Sequence, residues 1–187
     1  METESDERDH LDEMLLIWAR EIPDLEPLTE GVVERIQMLA RAFDRSMDET
    51  LKATGLDRRA YYLLMRLRSY GPPYRQSAGR LAEDMHISSG AMTYRLDRLE
   101  ADGLIRRLAD PSDRRGTLVE PTELGHEMWD RTVGLQARRE AVTASVLDED
   151  EKMSLYVLLR RLQRAFPDKA HGKADAAAPS ELEDRGS

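Results

Sequence analysis

Two short stretches of this chain collect the groups that bind a polyanion. The first runs from Ser88 to Arg98 and reads SSGAMTYRLDR. Drawn as a helix at roughly 100° per residue, it places Ser89, Gly90, Thr93, Tyr94 and Asp97 on one face, with Arg98 near its edge. Met92, Leu96 and Leu99 fall on the other. Hydroxyls and a guanidinium are donors for phosphate oxygens and base edges, and small residues allow close approach. Gly90 lowers helix propensity by about 1 kcal/mol relative to Ala, a cost that close backbone approach to a phosphate would justify. The second stretch, Asp113-Arg114-Arg115-Gly116, puts two arginines at a turn. Arginine suits a narrow minor groove, where the negative potential is deepest. Asp113 is spaced to hold the Arg115 guanidinium in one direction. The plainer alternatives are a solvated helix face and a polar hairpin tip.

These groups sit in an acidic chain. Its 187 residues carry a formal net charge of −9, yet Asp57 to Thr122 hold twelve Arg against nine Asp and Glu. That segment is therefore +3 and the remainder −12. Such asymmetry points the basic segment toward nucleic acid, and the acidic remainder weakens non-specific adhesion. Charged residues are 35% of the chain and aromatics 5%, which suits long solvated helices around a core of Leu, Met, Val and Ile. The length suits one domain, or one domain with arms. The absence of cysteine excludes disulfides, cysteine–zinc sites and thiol redox sensing. The opening METESDERDH is polar and acidic, unlike a signal peptide, and no apolar run approaches the roughly 18–20 residues of a membrane span. The expectation is a cytoplasmic protein with no membrane partner.

The elements that must position the two stretches follow from periodicity and punctuation. Asp6 to Glu21 reads as a helix through Leu11, Leu15 and Trp18, ended by the prolines of Ile22 to Pro27. A long helix follows from about Thr29 to Ala53, with Val32, Ile36, Leu39, Phe43, Met47 and Leu51 in one stripe. Another spans Asp57 to Tyr70 and stops at Gly71-Pro72-Pro73. Ser77 to Asp84 is a short helix, His86-Ile87 a turn, and Ser88 the N-cap of the helix that ends at Asp102-Gly103. Leu104 to Leu108 and Thr117 to Glu120 read as two strands around the charged loop Ala109 to Gly116. Two helices close the fold, Pro121-Thr122 to Leu147 and Asp148 to Phe166. From Pro167 the composition is that of a disordered tail.

Short helix, turn, capped helix and basic hairpin together form a winged helix-turn-helix pattern, whose second helix enters the major groove by its N-terminal residues. The fold expected is mostly α, with a two-strand wing. No phosphate-binding glycine loop, no GxSxG and no metal-ligand spacing among His10, His86, His126 and His171 is present. The nine Met are dispersed at core positions. Neither an enzyme site nor a cofactor is expected.

At these residues the chain resembles the MarR family of bacterial transcription regulators. The resemblance rests on Leu81 to Gly125, with the wing's D-x-R as Asp113 and Arg115 and the motif after the wing as Pro121-Thr122-Glu123-Leu124-Gly125. With the flanking helices it covers about Thr29 to Phe166. It implies a homodimer on double-stranded DNA with a roughly palindromic operator, and residues 29–53 and 122–166 as the dimerisation region around a DNA-binding domain of residues 57–121. It implies DNA contacts by Ser88, Ser89, Gly90, Thr93, Tyr94, Arg98, Asp113, Arg114 and Arg115. Repression relieved by a small organic anion is the family's usual activity. Trp18, Pro23-Asp24-Leu25, Gly71 to Tyr74 and Ser88 to Thr93 further resemble the urate-responsive branch, whose extra N-terminal helix corresponds to residues 6–21. That likeness implies ligand contacts by Trp18, Arg95 and Arg107, with Tyr62 where the branch has Asp, and an effector that is phenolic or purine-like. From the residues alone, Arg95 lies at the border of its helix's buried face and needs an anion or an internal carboxylate, such as Glu83 or Asp84. Trp18 equally reads as packing, and Tyr62 as core or as a stacking surface. The alternative functions are a winged helix used for protein contacts and a regulator with no urate-like signal.

Overall fold

The computed structural model describes residues 8–111 and 116–166. Seven helices and three short strands occur among them: α1 (His10–Glu21), α2 (Pro27–Thr54), α3 (Arg58–Ser69), β1 (Gln76–Ser77), α4 (Ala78–Asp84), α5 (Ser89–Ala101), β2 (Ile105–Ala109), β3 (Thr117–Pro121), α6 (Glu123–Ala144) and α7 (Glu149–Gln163). The chain divides into two compact units, one ending at Glu49 and one beginning at Thr50.

In the first unit, α1 starts at His10 behind an Asp9–Asp12 capping box, four residues later than the sequence pattern predicts. Leu11 and Leu15 are its buried members. Leu15 lies over Gly31 of α2, where an added Cβ would come within 3.1 Å of it. Arg35 donates to Asp9 and Asp12 at 3.0 and 2.9 Å, tying the start of α1 to α2. The long helix begins at Pro27 and not at Thr29. Proline at the first helical position loses no hydrogen bond, because that N–H has no partner in any helix. Glu26 then accepts from the Leu28 and Thr29 amides at 3.1 and 2.7 Å. Of the predicted α2 stripe only Leu51 is buried; Val32, Ile36, Leu39 and Phe43 remain exposed.

The core of the second unit is Leu63, Leu64 and Leu67 of α3, Leu81 of α4, Met92, Leu96 and Leu99 of α5, Ile105 and Val119. A buried polar chain joins the end of α2 to α6. Thr50 donates to Gln136 at 2.8 Å, Thr132 donates to Thr54 at 3.1 Å, and Gln136 passes on to Glu140 at 2.8 Å. Each buried polar group in it has a partner, as burial requires. Gly125 in α6 has a steric cause: a Cβ there would sit 2.0 Å from the Leu104 carbonyl oxygen. The α6 helix stops at Ala144, three residues before the predicted end.

The sheet contains the expected two-strand wing, β2 and β3, and adds β1 as a third strand. It is antiparallel in the order β1-β3-β2, with Ile105 opposite Pro121, Arg107 opposite Val119, and Gln76 opposite Val119 on the other side of β3. Glu120, only 4% exposed, joins the flanks. It accepts from Arg106 at 2.5 Å and from Arg75 at 2.6 Å. The last helix, α7, has no buried residue, although Met153, Leu155, Tyr156, Val157, Leu158, Leu159 and Leu162 line it.

Candidate nucleic-acid interface

The helix pair α4–α5 is held by caps that the sequence dictates. Ser77 accepts from the Arg80 amide and Ser88 from the Ala91 amide, both at 3.2 Å. Between them the chain closes α4 with a Schellman turn, in which His86 donates to Glu83 O at 3.1 Å and Ile87 to Ala82 O at 3.0 Å. His86 adopts φ 51°, a left-handed conformation usually left to Gly or Asn. The same turn ends α5, where Gly103 at φ 72° fits it without cost. Gly103 donates to Glu100 O and Leu104 to Leu99 O, at 3.0 and 2.9 Å.

On α5 the predicted faces separate cleanly. Met92, Leu96 and Leu99 are 1% exposed each, while Ser88, Ser89, Gly90, Thr93, Tyr94, Asp97 and Arg98 are exposed. Tyr94 shows 62% of its surface to solvent. The Thr93 hydroxyl donates back to Ser89 O at 3.0 Å, and the residue remains exposed. An added Cβ at Gly90 would meet nothing within 4 Å, so nothing packed inside the chain requires a glycine there. Arg98 lies 3.9 Å from Asp57, the N-cap of α3, in a loose and solvated pair. At the wing, Asp110 donates to Gly116 O at 3.1 Å. Asp113, Arg114 and Arg115 lie outside the described residues.

Of the residues expected to contact a ligand, Trp18 is half-buried in α1 of the first unit. Tyr62 is half-buried on α3 and meets the ring of Tyr61 edge-on, 5.5 Å between centroids. Tyr61 stacks in turn on Trp129 at 5.1 Å. Arg95 is half-buried, and its Nη1 is fully buried with no hydrogen-bond partner. The two carboxylates suggested by the sequence are engaged elsewhere: Glu83 and Asp84 both pair with Arg80, and Asp84 also accepts from the Tyr70 hydroxyl. Burial, with that hydrogen bond, pushes the Tyr70 hydroxyl up to about 12. Arg107 is engaged within the chain. It donates to Asp97 at 2.6 Å, to Glu100 at 2.9 Å and to Thr93 O at 3.3 Å. Sequence reasoning missed this clamp, and also missed Arg66, whose Nε is buried and unpartnered like Arg95 Nη1.

Among the described residues no group of His, Asp and Glu is placed to hold a metal, and no helix is long and apolar enough to cross a membrane.

Residues 56–117 match the model of the MarR family. Over 150 residues the chain is 33% identical to the HTH-type transcriptional regulator PecS of Dickeya dadantii, covering 79% of this chain and 89% of that protein. It is similar to the apo structure of wild-type E. coli MarR, with 26% identity, a TM-score of 0.58, and 69% of this chain and 93% of that one covered. A mutant of E. coli MarR complexed with operator DNA shares the fold at 24% identity and a TM-score of 0.56, over 83% of this chain and 99% of that chain.

Proposed function

This chain belongs to the MarR family of transcriptional regulators, and on that premise we propose that it represses transcription as a homodimer on a palindromic operator and is released by a small organic anion. The observation that carries DNA binding is the exposed face of α5. Small, hydroxylic and aromatic residues stand outward over a fully buried apolar face, with a glycine that no internal packing requires. Its N-terminal residues, Ser88 to Thr93, meet base edges and Arg98 a phosphate. The operator complex of E. coli MarR supports the reading through its shared fold.

Dimerisation is supported by α7, which carries seven large apolar side chains and no buried residue. A helix so exposed needs a second surface, and a twofold copy supplies one. Two symmetric α5 helices then read half-sites about one DNA turn apart. The anion is supported by Arg95. A buried guanidinium nitrogen without an acceptor is costly, and a planar organic anion would satisfy it, with the ring and hydroxyl of Tyr62 as a further contact. Ligand and DNA select different spacings of the two α5 helices, so each weakens the other by the same factor.

The test is a gel shift with duplex flanking the protein's own gene, or selected from random sequence, into which urate and other purine or phenolic acids are titrated. A shift that one of these acids abolishes in wild type, and fails to abolish in Arg95→Ala, is the expected result. A shift that resists every acid removes the ligand part, and no duplex bound at any low salt concentration removes the regulator reading.

A further inference from the structure

Arg107 stands on β2, yet its side chain is spent on α5. Three bonds run from its guanidinium to Asp97, Glu100 and the Thr93 carbonyl, and its backbone N–H donates to Glu100 at 3.0 Å. The clamp spans two turns of the helix that would enter the groove. Asp97 is 60% exposed on the side chain, on the same face as Tyr94 and Thr93. A carboxylate in that place faces phosphates, and like charges brought together across an interface are strongly unfavourable.

The charges of α5 make the problem plain. From Ser89 to Ala101 it carries Arg95 and Arg98 against Asp97 and Glu100, so the helix has no net charge of its own. Arg95 has its Nη1 buried. Arg98 is exposed but pairs loosely with Asp57, whereas Arg107, from outside the helix, is the cation that bonds both acids among the described residues. We propose that Arg107 is a charge-neutralising positioning residue for DNA binding: it acts through α5, screening Asp97 and Glu100 so that the helix can approach the duplex, and makes no contact with DNA itself. This rests on the DNA-binding reading above.

A phosphate contact and an internal neutraliser predict different cycles. The experiment measures duplex affinity for full-length wild type, R107A, D97N/E100Q and the triple variant, at one salt concentration, on a duplex enriched from random sequence by wild type. R107A should bind about tenfold more weakly or worse, since it leaves two carboxylates facing phosphate. In the D97N/E100Q background the same change should cost less than about twofold. Arg107→Lys, which keeps the charge and loses the fork, should stay within about threefold of wild type. Arg107→Gln replaces R107A in the cycle if thermal melts show that R107A does not fold at the assay temperature. Equal losses in the two backgrounds overturn the proposal while DNA binding stands. A wild type that enriches no duplex overturns both.

Discussion

Glu120→Gln tests the clasp that joins the two flanks of the wing's sheet. Glu120 is buried between Arg75, which precedes β1, and Arg106, its cross-strand partner on β2. Burial pushes its carboxyl up, but the hydrogen bonds from Arg75 and Arg106 outweigh this, and the net direction is down. Removing one partner of a fully buried ion pair costs about 3–5 kcal/mol. Here the two arginines are 38% and 64% exposed on their side chains, so they regain water when the carboxylate goes. Glutamine also keeps one carbonyl acceptor. The loss should therefore fall below that range, at about 2 kcal/mol, or roughly 4–8 °C in melting temperature for a chain of this size. The sign with pH follows from the lowered folded pKa. The unfolded carboxyl titrates near 4.5, so the stabilisation is fully present above that pH and is lost as pH falls through the lower folded value. Urea unfolding followed by circular dichroism, at a series of pH values between 7 and 3, reads both effects. A variant as stable as wild type at pH 7, or a deficit that stays constant to pH 3, would refute the reasoning.

Substitutions at three further positions test other parts of the account. Gly125→Ala drives a Cβ to within 2.0 Å of a backbone carbonyl, so it should cost more than about 3 kcal/mol or prevent folding, measured by thermal melt. His86→Gly relieves a left-handed residue and should stabilise by up to about 1 kcal/mol, while His86→Val should destabilise by at least as much; both are read by urea unfolding. Arg98→Ala should weaken binding to every duplex alike and lower the slope of log affinity against log salt by about 1, read in a salt titration; an unchanged slope removes Arg98 from the phosphate contacts.

The parts of the fold that were legible in the sequence are those set by local rules. The period of Met92, Leu96 and Leu99 gave the buried face of α5, Ser88 its cap and Gly103 its end. What local rules cannot show is pairing across distance. The strand β1 is two residues long, too short for any period, and exists because β3 pairs with it some forty residues later. The Arg75–Glu120 and Arg107–Asp97 contacts join residues of different elements, so neither has a signature in spacing. The start of α2 differs for another reason: Pro27 reads as a breaker in the sequence, whereas its fixed φ and missing N–H suit a first turn. The apolar stripes of α2 and α7 were visible as stripes, but a stripe does not say whether its cover lies in the same chain. The same holds for Arg95, whose position predicted a need for an anion without saying which. In the structure neither sequence-suggested carboxylate meets it.

The central claim is tested most directly by incubating the full-length protein with a pool of random duplexes and sequencing what it retains after several rounds at moderate salt. The account predicts enrichment of an inverted repeat with half-sites about one helical turn apart, lost when Thr93 and Tyr94 are both replaced by Ala. Retention of no common sequence, by a protein that melts cooperatively, would contradict it.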